Sequence, residues 1–236
     1  MSSRPPETSE HRGGTRIVLT LATTRRMEPI DNPRICDPAR GSSFHSRLPS
    51  DIVIFDPDSE LSYLQFSTKE EPLTLRMKKD QVVIAIRGAC RGNGTCTAKA
   101  AYGVFFGRAS SHNKYGLLPE DEQHTSQNAE IYAARMVLDL AGKMFQDNPT
   151  VKGINLITGS SFLTKAMTDQ IHEWLENWFV TSSRGPASRI TNADAIRHLN
   201  QTIESLESGG LSVRFWLVRK DQNADADTLA NLAFND

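Results

Sequence analysis

Apolar residues are distributed along this chain in two rhythms, one suited to strands and one to helices. Val82-Val83-Ile84-Ala85-Ile86 is an unbroken apolar run and reads as a strand buried on both faces. Ala101–Gly107 alternates in part and reads as a second strand, and a third, shorter and more polar, is expected around His112–Leu118. From Thr125 to Met144 the period becomes helical, with Ile131, Met136, Val137, Leu140 and Ala141 on one side. Ile154–Thr158 is another short apolar strand, and helical periodicity resumes from Ser161 to Phe179. Ala193–Leu206 is a further amphipathic helix, stopped by Gly209-Gly210, after which Leu211–Val218 reads as the last strand and Asn223–Leu232 as the last helix. This order predicts an α/β fold, a mixed five-stranded sheet flanked by helices.

The first third of the chain has neither rhythm. Residues 1–50 are rich in Pro, Ser, Thr, Gly and Arg, and only Ile17–Ala22 could pack, so this extension is expected to be largely disordered. Residues 51–80 read as a transition, in which Asp51–Phe55 and Leu61–Leu64 are short strands or docking segments and Lys78-Lys79-Asp80 is a charged stop. The domain is then expected over 81–236. The arginines of the tail suggest a mitochondrial presequence, but Glu7, Glu10 and the early prolines spoil an amphipathic basic helix, which leaves a cytoplasmic or nuclear protein as the expectation.

Composition adds three limits. The apolar share of 38% is enough for a core. Residues 1–50 hold 8 Arg against 5 Asp/Glu, a net +3, whereas the remainder holds 19 Lys/Arg against 23 Asp/Glu, a net −4. A domain that lives by phosphate contacts usually has a basic surplus, so any nucleic-acid surface has to be a local one. Cys36, Cys90 and Cys96 have no zinc-ligand spacing and read as reduced thiols. The longest apolar run is far short of a membrane span, and no membrane partner is expected.

Four blocks then carry a resemblance. They are Ile86-Arg87-Gly88-Ala89-Cys90-Arg91-Gly92-Asn93-Gly94 with Tyr102–Gly107; Thr125-Ser126-Gln127-Asn128-Ala129-Glu130 with Ala133-Ala134; Ile154–Ser160; and Asn223-Ala224-Asp225-Ala226-Asp227-Thr228-Leu229-Ala230. In this order, each on the expected element, they resemble a type 1 ribonuclease H from about Val82 to Ala233. The direct run from Leu217 to Asn223 looks like the branch of that family without a histidine loop. The resemblance implies a nuclease that cuts the RNA strand of an RNA–DNA hybrid with two magnesium ions about 4 Å apart, held by four carboxylates. Carried over by position, the four sites are Arg87, Glu130, Gly159 and Asp227, of which only Glu130 and Asp227 retain the acid.

Four carboxylates would supply −4, whereas this set supplies −2 from its acids and +1 from Arg87. Gly159 has no side-chain ligand, and an arginine does not deprotonate to become one. Asp225, two residues along a helix from Asp227, points about 200° away from it. The resemblance therefore implies that Glu130 and Asp227 hold magnesium weakly or not at all, and that two-metal hydrolysis is lost. It also suggests that Arg87 pairs with Glu130 or Asp227 as a built-in cation.

Matched positions also suggest a substrate surface. Asn93 and Gln127 stand where the family reads 2′-hydroxyls, Thr125 where it holds a DNA phosphate, and Trp174 and Trp178 where an aromatic pair lines the DNA channel; Arg184 and Arg189 lie where many members carry a basic protrusion. Ser126 replaces a usual Asn. A plainer reading makes Asn93 ordinary turn chemistry and puts both tryptophans on one helix face in the core. The expected partner is an RNA–DNA hybrid or double-stranded RNA, bound without cutting. The alternatives are a protein partner on a scaffold of this fold, and an active ribonuclease with substituted ligands.

Overall fold

The computed structural model describes residues 32–38, 48–67, 75–145, 150–181 and 187–235; Ile17–Ala22 and Arg184 lie outside them. In chain order its elements are α1 (Pro49–Ile52), β1 (Val53–Asp56), β2 (Leu61–Ser67), β3 (Leu75–Arg91), β4 (Lys99–Phe105), β5 (Lys114–Leu117), α2 (Ser126–Phe145), β6 (Gly153–Thr158), α3 (Ser161–Lys165), α4 (Ile171–Glu176), β7 (Val180–Thr181), β8 (Ser188–Arg189), α5 (Ala193–Ser208), β9 (Ser212–Leu217) and α6 (Ala224–Leu232). A π-helical turn, Ala166–Gln170, joins α3 to α4, and a 3-10 turn, Lys220–Asn223, leads into α6.

The long strand β3 is the hub. It pairs antiparallel with β2 and β4 and parallel with β6, which in turn pairs parallel with β9. With β1 beside β2 and β5 beside β4, the main sheet is mixed and has seven strands instead of the expected five. The additional two are β1 and β2, from the segment read as a transition. Val82 and Val83 pair with β6 on one edge and β2 on the other, so β2 lies end to end with β4 along one edge of β3. Ser62 Oγ donates to the Phe106 carbonyl at 2.6 Å where the two meet.

Lys78-Lys79-Asp80 does not stop the domain, because it lies inside β3. Charged residues do not end a strand that has an exposed stretch, and Lys79 Nζ reaches Asp56 Oδ2 at 2.9 Å. Alternation along β3 also explains its apolar run. Val82, Ile84 and Ile86 enter the main core with Ile131, Leu138, Leu156, Ile196, Leu199 and Phe215. Val83 enters a second cluster on the opposite face with Ile52, Ile157, Trp216 and Val218, and Ala85 packs against it.

Part of the tail assigned to disorder is built onto the sheet. Ile35 bridges Phe215 in parallel, Cys36 N donates to the Phe215 carbonyl at 2.9 Å, and Phe215 N donates to the Arg34 carbonyl at 2.7 Å. The Arg34 side chain holds this strip in place, donating from Nε and Nη2 to the two Glu207 oxygens at 3.3 and 3.0 Å and from Nη1 to Asn200 Oδ1 at 2.8 Å. Composition could not reveal it, because the anchor depends on a partner 173 residues away.

The helical stretch expected to run to Phe179 ends at Glu176. Phe179 N donates to the Trp174 carbonyl at 2.7 Å and Trp178 N to the Leu175 carbonyl at 3.4 Å, a Schellman closure in which Trp178, at φ +53°, takes the left-handed position that glycine usually fills. Trp174 and Trp178 therefore share no helix face. Trp174 packs against the main core, and Trp178 is 83% exposed.

Candidate active site

Two glycines, Gly88 on β3 and Gly103 on β4, bring two helices against the sheet beside Arg87. A Cβ on Gly88 would lie 2.1 Å from Glu130 N, so α2 can pack here only against a residue without a side chain. Gly103, the cross-strand partner of Arg87, does the same for α6: a Cβ there would meet the Ala226 carbonyl oxygen at 2.5 Å and Ala230 N at 2.6 Å. Close packing of α2 and α6 delivers Glu130 and Asp227 to the same guanidinium.

Arg87 Nη1 donates to Glu130 Oε1 at 2.6 Å and Nε to Asp227 Oδ1 at 2.7 Å. Glu130 is almost fully enclosed, whereas the Asp227 side chain is 44% exposed. Burial pushes the Glu130 carboxyl up to about 7, against the opposing pull of Arg87, the Gly88 N–H and Lys220. Its second oxygen, Oε2, is buried without a hydrogen-bond partner. Asp227 Oδ2 accepts from Asn231 Nδ2 at 3.1 Å. Asn223, the buried residue before α6, fixes the start of that helix by donating from Nδ2 to the Ile86 carbonyl at 2.9 Å.

Gly159 follows the end of β6, where an added Cβ would come no nearer than 3.5 Å to Lys220 Cγ and 3.7 Å to Lys220 Cα. A side chain there would fit, and Lys220 stands beside the space. Asp225 is directed elsewhere, as its helical position predicts: it lines a cavity of about 240 Å³ with Val53, Phe55, Val83, Ala85 and Ile157.

A family model described as RNase H matches residues 79–234, about two-thirds of the chain. The chain belongs to the RNase H family. It is 26% identical to Ribonuclease H1 of Rattus norvegicus over 208 residues, 87% of this chain and 64% of that protein. It is 27% identical to Ribonuclease H1 of Homo sapiens over 125 residues, 53% of this chain and 41% of that protein. The chain thus matches about two-fifths to under two-thirds of these relatives' lengths. A solved RNase H1 structure, from an enzyme isolated from compost by a metagenomic approach, is 19% identical with a TM-score of 0.47, covering 66% of this chain and 96% of that one.

RNase H family members use magnesium, so the residues can be tested against that ion. Of the four carboxylate oxygens on Glu130 and Asp227, two accept from Arg87 and one from Asn231, and Glu130 Oε2 is the one without a hydrogen-bond partner among the described residues. Magnesium demands near-octahedral oxygen ligands at about 2.0–2.1 Å, and a guanidinium between the two acids is a repulsive neighbour for a dication. Among the described residues no group of three or more His, Cys, Asp or Glu is placed to hold a metal ion. This arrangement does not fit a magnesium pair.

The residues matched to the substrate surface form two connected groups. Asn93 Oδ1 accepts from Ser126 N at 3.1 Å and Thr125 Oγ1 accepts from Asn128 N at 3.2 Å, so both cap the start of α2. Gln127 is exposed one turn before Glu130, and Asn192 Nδ2 approaches its Oε1 at 3.5 Å. Ile190 N donates to the Phe179 carbonyl at 2.8 Å, which links this region to the Trp178 segment. Arg189 is paired with Asp194. Sequence reasoning missed Lys220 and Asn223. Asn223 carried a signal, an amide four residues before a matched acid at a helix start, whereas Lys220 lies in a connecting run with no pattern of its own.

Proposed function

We propose that this chain binds an RNA–DNA hybrid, or double-stranded RNA, without hydrolysing it. The observation that carries this reading is the Arg87 guanidinium between Glu130 and Asp227, which puts a fixed positive charge where two-metal hydrolysis requires anionic ligands. Exposed Asn93 and Gln127 beside the start of α2 offer uncharged groups of the kind that contact 2′-hydroxyls in a shallow groove, and exposed Trp178 offers a stacking face. Among the described residues Asn93 engages its Oδ1 with Ser126 and makes no bond from its amide NH2, which is kept for such a contact.

The test compares wild type with an Arg87→Asp/Gly159→Asp double variant on a labelled hybrid in magnesium, recording binding and cleavage. Wild type is expected to bind, with salt dependence, and not to cut. The double variant, whose new side chain at Gly159 has room, is expected to cut. Asn93→Ala with Gln127→Ala should weaken wild-type binding. Cleavage by wild type that Glu130→Gln abolishes would overturn the reading in favour of an active ribonuclease, and absence of binding at low salt would favour a scaffold for a protein partner.

A further inference from the structure

The misfit between this site and magnesium has a positive counterpart. Arg87 spends Nε and Nη1 on the two acids, Nη2 makes no hydrogen bond among the described residues, and the side chain keeps 19% of its surface exposed. Lys220 is exposed, and its ammonium makes no hydrogen bond or ion pair among the described residues. It stands beside the space that Gly159 leaves, and its charge reaches Glu130, as that of Arg87 does. The neighbouring Arg219 is different, because Asp221 holds its guanidinium at 2.8 and 3.0 Å. Arg87 lies two residues beyond Ala85 on β3, and Gly159 two beyond Ala85's partner Ile157 on β6, so both cations, each with donors to spare, lie near the position where an aspartate would otherwise project.

Four carboxylates alone would repel a phosphodiester, and metal ions normally reverse that sign. Here Arg87 and Lys220 balance Glu130 and Asp227 without any ion. We propose that Arg87 Nη2 and Lys220 Nζ form a metal-independent seat for one phosphodiester group. A guanidinium suits such an oxygen pair in geometry, and an ammonium adds a point charge. The inference deepens the hybrid-binding reading, and rests on it for the source of the phosphodiester as a nucleic-acid backbone. Magnesium then becomes unnecessary for binding.

The test uses the full chain in EDTA, titrated with a thymidine dinucleotide that carries a single phosphodiester, with the Arg87 Nε–Hε resonance as readout. A saturable shift that Lys220→Ala weakens several-fold is expected; no shift overturns the seat. Hybrid binding is measured in parallel by anisotropy. Equal affinity in EDTA and in magnesium is expected, with a salt slope that falls by about 1 in Lys220→Ala. An absolute requirement for magnesium also overturns the seat. A hybrid that fails to bind while the dinucleotide still moves Arg87 leaves the seat standing and removes the hybrid reading. A hybrid that binds without any Arg87 response does the reverse.

Discussion

Arg34, buried, and Arg87, half-buried, both stand beside carboxylates, yet they hold their partners in different ways. Arg34 forks onto one carboxylate, Glu207, and gives its remaining nitrogen to Asn200 and, at 3.5 Å, to the Met167 carbonyl, so all three of its nitrogens are engaged. Arg87 divides itself between two carboxylates from different helices and, among the described residues, leaves one nitrogen without a hydrogen bond. One positive charge meets one negative charge in the first case and two in the second. The closed fork ties a strip of chain to a sheet edge. The open, over-subscribed one marks a place where further charge can be received.

The largest expected effect separates the two by stability. Arg87→Ala leaves the enclosed Glu130 without its cation, and should cost about 3 kcal/mol in urea unfolding at pH 8. Arg34→Ala should cost roughly 1–2 kcal/mol, because Glu207 is a third exposed and can return to water. Equal losses would remove the distinction between the sites.

A second effect of similar size lies in pH. Burial raises Glu130 from its ordinary 4.5 to about 7, so between those values the folded state holds a proton that the unfolded chain has released. This group's contribution is therefore fully present below about pH 4.5 and is lost as the pH rises through about 7, by roughly 3 kcal/mol. Glu130→Gln should flatten that slope. Urea midpoints across pH 5–8 would check this.

Gly103→Ala probes the packing that makes the Arg87 site. The added methyl would lie 2.5 Å from the Ala226 carbonyl oxygen and force α6 outward, at a cost of roughly 1–3 kcal/mol, and should lower the thermal midpoint. The Arg87–Asp227 contact should loosen more than Arg87–Glu130, which can be read from the Arg87 side-chain resonances. The smallest effect belongs to Trp178→Gly. It relieves a left-handed tryptophan and should raise stability by up to about 1 kcal/mol, while weakening hybrid binding if that exposed ring stacks on a base.

Much of the fold was legible because its signals are local. The period change from strand to helix marked β3 at Val82–Ile86 and α2 at Thr125–Met144, and the observed elements include or overlie both segments. β1 and β2 were legible only as fragments, since a short strand gains its identity from the edge it joins, and that edge belongs to β3. Lys78-Lys79-Asp80 misled for the same reason: a charged triplet looks like a boundary until Asp56 is brought beside Lys79. At the site, matched positions named Arg87, Glu130, Gly159 and Asp227, but Lys220 had no local mark and became visible only beside the gap at Gly159.

The chain by itself determined the strand and helix periods and the charge inventory of the site, two acids with an arginine and a glycine, because these depend on residue identity and near neighbours. Tertiary structure alone decided that Arg87 meets Glu130 and Asp227 at once, across 43 and 140 residues, and that Arg34 secures a strip of the tail to β9. Such pairings depend on which edges and faces remain open once the sheet is assembled, and on where two glycines let helices come close enough to deliver their acids.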